Sequence, residues 1–197
     1  MFKDPFLLVI FLDFDLNTIL ERFDTSVLSR VRGKAHDVII GEWARLWISD
    51  SPNSRLVFNP SPYAQNKTAD LLFMHDPEGS GAYQPVGVAE IENDENSWEK
   101  KIQSLQEYER EIPELKFALL GIKVWKDRLE LFDNVLVLIK KVSEGSKLQW
   151  VLDCLIVERA KEDVNLYSLR ENDEVVSSST GFIVGRKWAI VRDSVVI

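Results

Sequence analysis

Asp70-Leu71-Leu72-Phe73-Met74 and Val86-Gly87-Val88-Ala89-Glu90-Ile91-Glu92-Asn93 decide the reading of this chain. Each is an apolar run with acid at one end. Read as strands, they alternate side chains between two faces. Glu90 and Glu92 then point the same way, with Val86 and Val88 behind them. The segment Asp76-Pro77-Glu78-Gly79-Ser80-Gly81 reads as a loop, so Thr68–Met74 and Tyr83–Glu92 form an antiparallel hairpin. That pairing brings Asp70 to the Glu90 end. Acids gathered at the ends of apolar strands are costly to hold together without a cation. Oxygen donors of this kind suit Mg2+ or Mn2+. The expectation is a metal site, and a hydrolytic one.

The flanks extend the pattern. Residues 34–49 have helical spacing, with Val38, Glu42 and Leu46 four apart and Ile39 and Trp43 alongside. Glu42 falls inside that apolar stripe, either to serve the site or to reach water and pair with Arg45. Arg55-Leu56-Val57-Phe58 reads as a strand between turn-rich segments. Beyond the hairpin, Asn96-Ser97 is placed to cap a helix through Trp98, Ile102, Leu105, Tyr108 and Ile112, which Pro113 ends. Lys101 lies within that stripe. Phe117–Trp125 is a fully apolar strand, 127–142 a helix and Gln149–Val157 a second buried strand. Strand–helix–strand–helix–strand implies a largely parallel stretch. Residues 14–32 have helical spacing, while Val164–Leu169 and Gly181–Val191 read as added strands.

Size and composition allow one domain spanning 1–197. Its core is expected at about 34–157, with an N-terminal extension (1–33) and a strand-rich C-terminal addition (158–197). Hydrophobic residues make up 45% and charged residues 28%, an ordinary globular balance. The net charge of −8 argues against indiscriminate nucleic-acid binding, though not against a local basic groove. The single cysteine, Cys154, lies in an apolar run and reads as a buried thiol rather than a nucleophile. The apolar run Pro5–Leu12 is too short to span a bilayer. A cytoplasmic protein with no membrane partner is expected. His36 and His75 are too few and too far apart to indicate zinc. Gly79-x-Gly81 is a turn, since no Lys-Ser or Lys-Thr follows it.

With acids at Glu42, Asp70, Glu90 and Glu92, the order helix, hairpin, helix, strand resembles the restriction-endonuclease-like, or PD-(D/E)xK, nuclease superfamily. The resemblance covers roughly residues 34–125. It implies an α/β fold with a mixed central sheet flanked by helices. Asp70 matches the first acid of the pattern, Glu90 the second and Glu42 the helical acid. Lys101 or Gln103 matches the polar residue of the following helix. The run from Glu90 to Ile102 also resembles a Glu-x-Glu-Asn subset found among uncharacterised prokaryotic members. Two positions depart from the pattern: Ala69 stands for proline and Glu92 for lysine.

The resemblance implies metal-dependent hydrolysis of DNA phosphodiesters, with Asp70, Glu90, the Ile91 carbonyl and Glu92 around Mg2+ or Mn2+. Glu92 would bind a second metal or accept a proton from water. Glu42 would serve an outer position, and Lys101 would touch phosphate or hold Glu92. Phosphate contacts are expected from Arg30, Arg32 and Lys34, or from Lys140, Lys141 and Lys147. A homodimer is a further expectation, since many enzymes of this fold pair to cut both strands. Blander readings stand beside these. Glu90 and Glu92 can be the solvent face of an edge strand, Asp70 a turn cap and the basic clusters solvated surface. The alternative function is a catalytically inactive module of the same fold that binds nucleic acid or a protein partner.

Overall fold

The computed structural model describes residues 35–50, 53–58, 69–159, 174–175 and 182–191. The expectations for 1–33, including the phosphate contacts Arg30 and Arg32, lie outside that set. So do Lys34 and the strand at 164–169.

Among the described residues, three helices pack on a mixed seven-stranded sheet of order β1-β2-β3-β4-β5-β7-β6. The strands are β1 (Ser54–Phe58), β2 (Leu71–His75), β3 (Gln84–Glu92), β4 (Phe117–Trp125), β5 (Gln149–Arg159), β6 (Glu174–Val175) and β7 (Phe182–Val191). The helices are α1 (Ala35–Asp50), α2 (Trp98–Glu111) and α3 (Glu130–Ser143). The expected hairpin is present: β2 and β3 pair antiparallel. β3, β4 and β5 are mutually parallel, joined through α2 and α3. β7 returns antiparallel on β5, so the C-terminal strands extend the same sheet.

Alternation along the strands divides the core in two. Leu72, Val88, Leu120, Ile122 and Leu152 face α2 and α3. Leu71, Phe73, Ala89, Leu119 and Val151 face α1. On α1, Ile39, Trp43, Leu46 and Trp47 recur at helical spacing and are buried. Trp43, Trp47, Phe73 and Phe117 form an aromatic cluster with ring centroids 5.0–6.1 Å apart. Gly87 makes room for it. A β-carbon there would stand 2.1 Å from the Phe117 ring, so only glycine lets that ring lie across β3. Trp47 Nε1 also donates to the Arg55 carbonyl at 3.1 Å, tying α1 to the edge strand.

Four local expectations are corrected. The β2–β3 register shifts beside Phe73, leaving Val86 as an extra residue on β3. Val86 therefore packs on the α1 side, and only Val88 stands behind Glu90. β2 begins at Leu71, so Asp70 sits in a bend just before it. Ser97 takes the expected cap position before α2 but without a capping bond. Asp94 accepts the Asn96 amide and starts a 3-10 turn. The helix expected at 127–142 is a 3-10 turn, Lys126–Arg128, followed by α3.

Candidate functional site

The parallel strands β3, β4 and β5 run the same way, and Glu90 and Glu92 lie at the carboxyl end of β3, the first of the three to stop. This is where open α/β sheets tend to bind ligands. Glu90 lies in the last turn of the strand's pleat, only 2% exposed, beneath α2. Helical spacing on α2 puts Lys101 three residues after buried Trp98, at the edge of the buried stripe. There its Nζ reaches Glu90 Oε2 at 2.5 Å.

Asp70 arrives from the bend before β2. Its amide donates to the Ala89 carbonyl at 3.0 Å, and its Oδ2 accepts the Ile91 amide at 2.7 Å. The carboxylate is thus pinned across the end of β3, within hydrogen-bonding reach of Glu90. From the opposite face, the first turn of α1 brings His36 Nε2 to 3.3 Å from Asp70 Oδ1. Tyr108, buried on α2, hydrogen-bonds the Ala69 backbone.

The electrostatics follow from that crowding. Burial pushes the Glu90 carboxyl up to about 7, with Lys101 opposing the rise and Asp70 adding to it. Burial works against the Lys101 ammonium too. The Glu90 charge, with Asp70 and Glu92 beyond it, nevertheless holds Lys101 above its usual range. Burial and the Glu90 charge push the Tyr108 phenol up to about 12.

The structure thus joins Asp70, Glu90 and Lys101, and separates the others. Glu92 is turned onto the following loop, where its Oε1 accepts the Asp94 amide at 2.9 Å and its carbonyl accepts Trp98 Nε1 at 3.0 Å. Gln103 is exposed. Glu42 is buried, pairs with Arg45 at 3.0 Å, and its charge also acts on Arg186. Lys140, Lys141 and Lys147 lie by the end of α3 and the start of β5, at the far end of the sheet from Glu90. Lys147 donates to the Pro113 carbonyl there. Cys154 is buried, and burial pushes its thiol up, as a structural cysteine requires.

Sequence reasoning missed His36 and a second buried cluster. On the α1 face, Asp153 of β5 is held by Arg186 of β7 through both oxygens, with Nε at 2.7 Å, and accepts Trp43 Nε1 at 2.9 Å. A lone acid inside Val151-Leu152-Asp153-Cys154-Leu155 is the signal for such a pair. Its partner becomes identifiable only once β5 and β7 are paired.

Two neighbouring carboxylates fit a hard divalent cation. Buried this close, they need a proton or a cation between them. Mg2+ in particular keeps several waters and takes one or two protein carboxylates. A full protein cage is not formed: among the described residues no three His, Cys, Asp or Glu side chains gather as metal ligands. Among the described residues no helix is long and apolar enough to cross a membrane.

No protein-family model matches the chain, and no curated protein matches it. Among solved structures, the YaeQ protein from Xanthomonas axonopodis pv. citri is similar over 80% of this chain and 80% of its own, at 11% identity. The TM-score is 0.33, a likeness too slight to carry an argument about fold or function.

Proposed function

We propose that this chain is a metal-dependent nuclease of restriction-endonuclease-like fold that hydrolyses DNA phosphodiesters. One observation carries the reading. Asp70, from the bend before β2, and Glu90, from β3, meet at the carboxyl end of β3, with Lys101 Nζ 2.5 Å from Glu90. This is the acid, acid, lysine set of the PD-(D/E)xK pattern, with the ammonium supplied by α2 instead of position 92. That origin accounts for the Glu at position 92, which serves the turn after β3.

Asp70 and Glu90 would hold Mg2+ or Mn2+, with the Ile91 carbonyl beside them. Such a cation, when bound, polarises a phosphoryl oxygen and lowers the pKa of a bound water. The chain's own residues do the rest. The Ile91 amide fixes Asp70 across the strand end. Lys101 holds Glu90 and presents an ammonium to an entering phosphate. Trp98 Nε1, bonded to the Glu92 carbonyl, anchors the strand end against α2.

The absence of a third gathered ligand among the described residues favours a second reading: the same fold as an inactive module binding nucleic acid or a protein partner. Cleavage of supercoiled plasmid and labelled single strands in Mn2+, Mg2+ or EDTA separates the two. Metal-dependent cutting that disappears in both Asp70→Ala and Glu90→Ala supports the nuclease. A folded wild type that cuts nothing supports the module.

A further inference from the structure

His36 belongs to no motif in the sequence, yet the fold delivers it to the candidate site. The first turn of α1 ends against Asp70, and the two outer contacts of that carboxylate come from opposite directions. Oδ2 is held by the Ile91 amide at 2.7 Å. Oδ1 faces His36 Nε2 at 3.3 Å. The terminal torsion of an aspartate is soft and broadly populated. The Ile91 amide fixes only Oδ2, and the neighbouring Glu90 carboxyl, once ionised, offers Asp70 no donor. A second contact on the other oxygen removes the freedom. Glu90 has no such need, because Lys101 grips it directly and the core surrounds it.

We infer that His36 is a positioning residue for Asp70, setting the rotation of the carboxylate that would hold a hard divalent cation. The inference rests on the nuclease reading of the site and adds the outer partner of one of its metal ligands. His36 is still about one-third exposed, so it reaches Asp70 from the solvent side of α1 and does not fill the core. Replacing it therefore separates positioning from folding. Partners of this kind orient a ligand, and their loss commonly weakens metal binding about 10–100-fold.

The test is Mn2+ binding by calorimetry on wild type, Asp70→Ala, His36→Ala and His36→Gln, with thermal midpoints measured in EDTA. His36→Ala is expected to bind Mn2+ about tenfold more weakly than wild type. His36→Gln, which keeps a side-chain N–H donor, is expected to recover most of the loss. The midpoints in EDTA should stay together. If Asp70→Ala loses Mn2+ while His36→Ala binds it like wild type, the role of His36 is overturned and the site stands. Equal weakening in both His36 variants also overturns it, since the donor then makes no difference. A wild type that binds no Mn2+ overturns the metal reading and this inference with it.

Discussion

Glu90 and Asp153 are both carboxylates sealed inside one sheet, on strands separated only by β4. They are satisfied in different ways. Asp153 takes a two-pronged arginine and an indole N–H, so its oxygens are committed to three fixed donors. The donors come from two elements, α1 and β7, and the acceptor from β5, so the cluster locks three elements together. Glu90 takes one lysine on one oxygen and faces another acid, Asp70, instead of a further donor. The lysine comes from a helix edge next to solvent. A saturated buried charge contributes to architecture. A crowded, half-satisfied one holds interaction energy that a ligand can use. The contrast gives Asp153 to the fold, and on the proposed nuclease reading it gives Glu90 to the chemistry.

Substitution should divide the two along that line, and the largest effect is on cleavage. Glu90→Gln and Asp70→Asn are expected to reduce metal-dependent cutting to background while the urea midpoint holds or rises. The expected gain follows because each change removes a charge from a crowded pair. Plasmid cleavage and urea titration on the same preparations check this. An active Glu90→Gln would end the contrast.

Asp153→Ala should act the other way. Removing one partner leaves Arg186 charged and buried, a loss of about 3–5 kcal/mol. Equilibrium urea unfolding should show it, and any cutting activity should track the folded fraction. Replacing both partners, Asp153→Leu with Arg186→Met, sharpens the comparison. An apolar pair can substitute for a buried ion pair at little net cost. Trp43 Nε1 then lacks its acceptor, at about 1–3 kcal/mol. The double variant should therefore recover a large part of the lost stability. The matching change at Glu90 and Lys101 should give a stable protein with no cleavage.

What the sequence revealed follows the same division. The hairpin, the parallel strands and the crossover helices were legible because their signals are local: period-two runs, helical stripes, Gly and Pro at turns. Asp70 and Glu90 were legible because a hairpin links them over a short span. Lys101 was visible as a polar residue inside an apolar stripe, although its expected target was a phosphate or Glu92, not Glu90. Glu42 was legible only in part: pairing with Arg45 was one of its two expected readings, and that pair is formed. Nothing local says that its charge also acts on Arg186 of distant β7. The bulge at Val86 was invisible because one inserted residue leaves no compositional mark, though it reverses a face. His36 was hidden because its contact depends on how α1 seats on the sheet.

The smallest expected effect reads the Glu90 environment directly, in EDTA so that only the protein is measured. The carboxyl is raised from 4.5 to about 7 by burial, so the folded chain holds this proton more tightly than the unfolded chain does. The sign follows from linkage. Below pH 4.5 both states carry the proton, and the contribution to stability is fully present. Between 4.5 and about 7 the unfolded chain releases it while the folded chain keeps it, so stability falls as pH rises. Above about 7 both states are ionised and the loss is complete. Glu90→Gln has no proton to release. Its urea midpoint should therefore gain on that of wild type as pH rises through this window, then run parallel above it. Asp153, held by Arg186, gives the opposite expectation for its own variant: Asp153→Asn should fall well below wild type, because it removes the charge that faces the buried guanidinium. If the Glu90→Gln gap stays flat from pH 4 to 8, the carboxyl is as well satisfied as Asp153, and the contrast between the two sites loses its electrostatic basis.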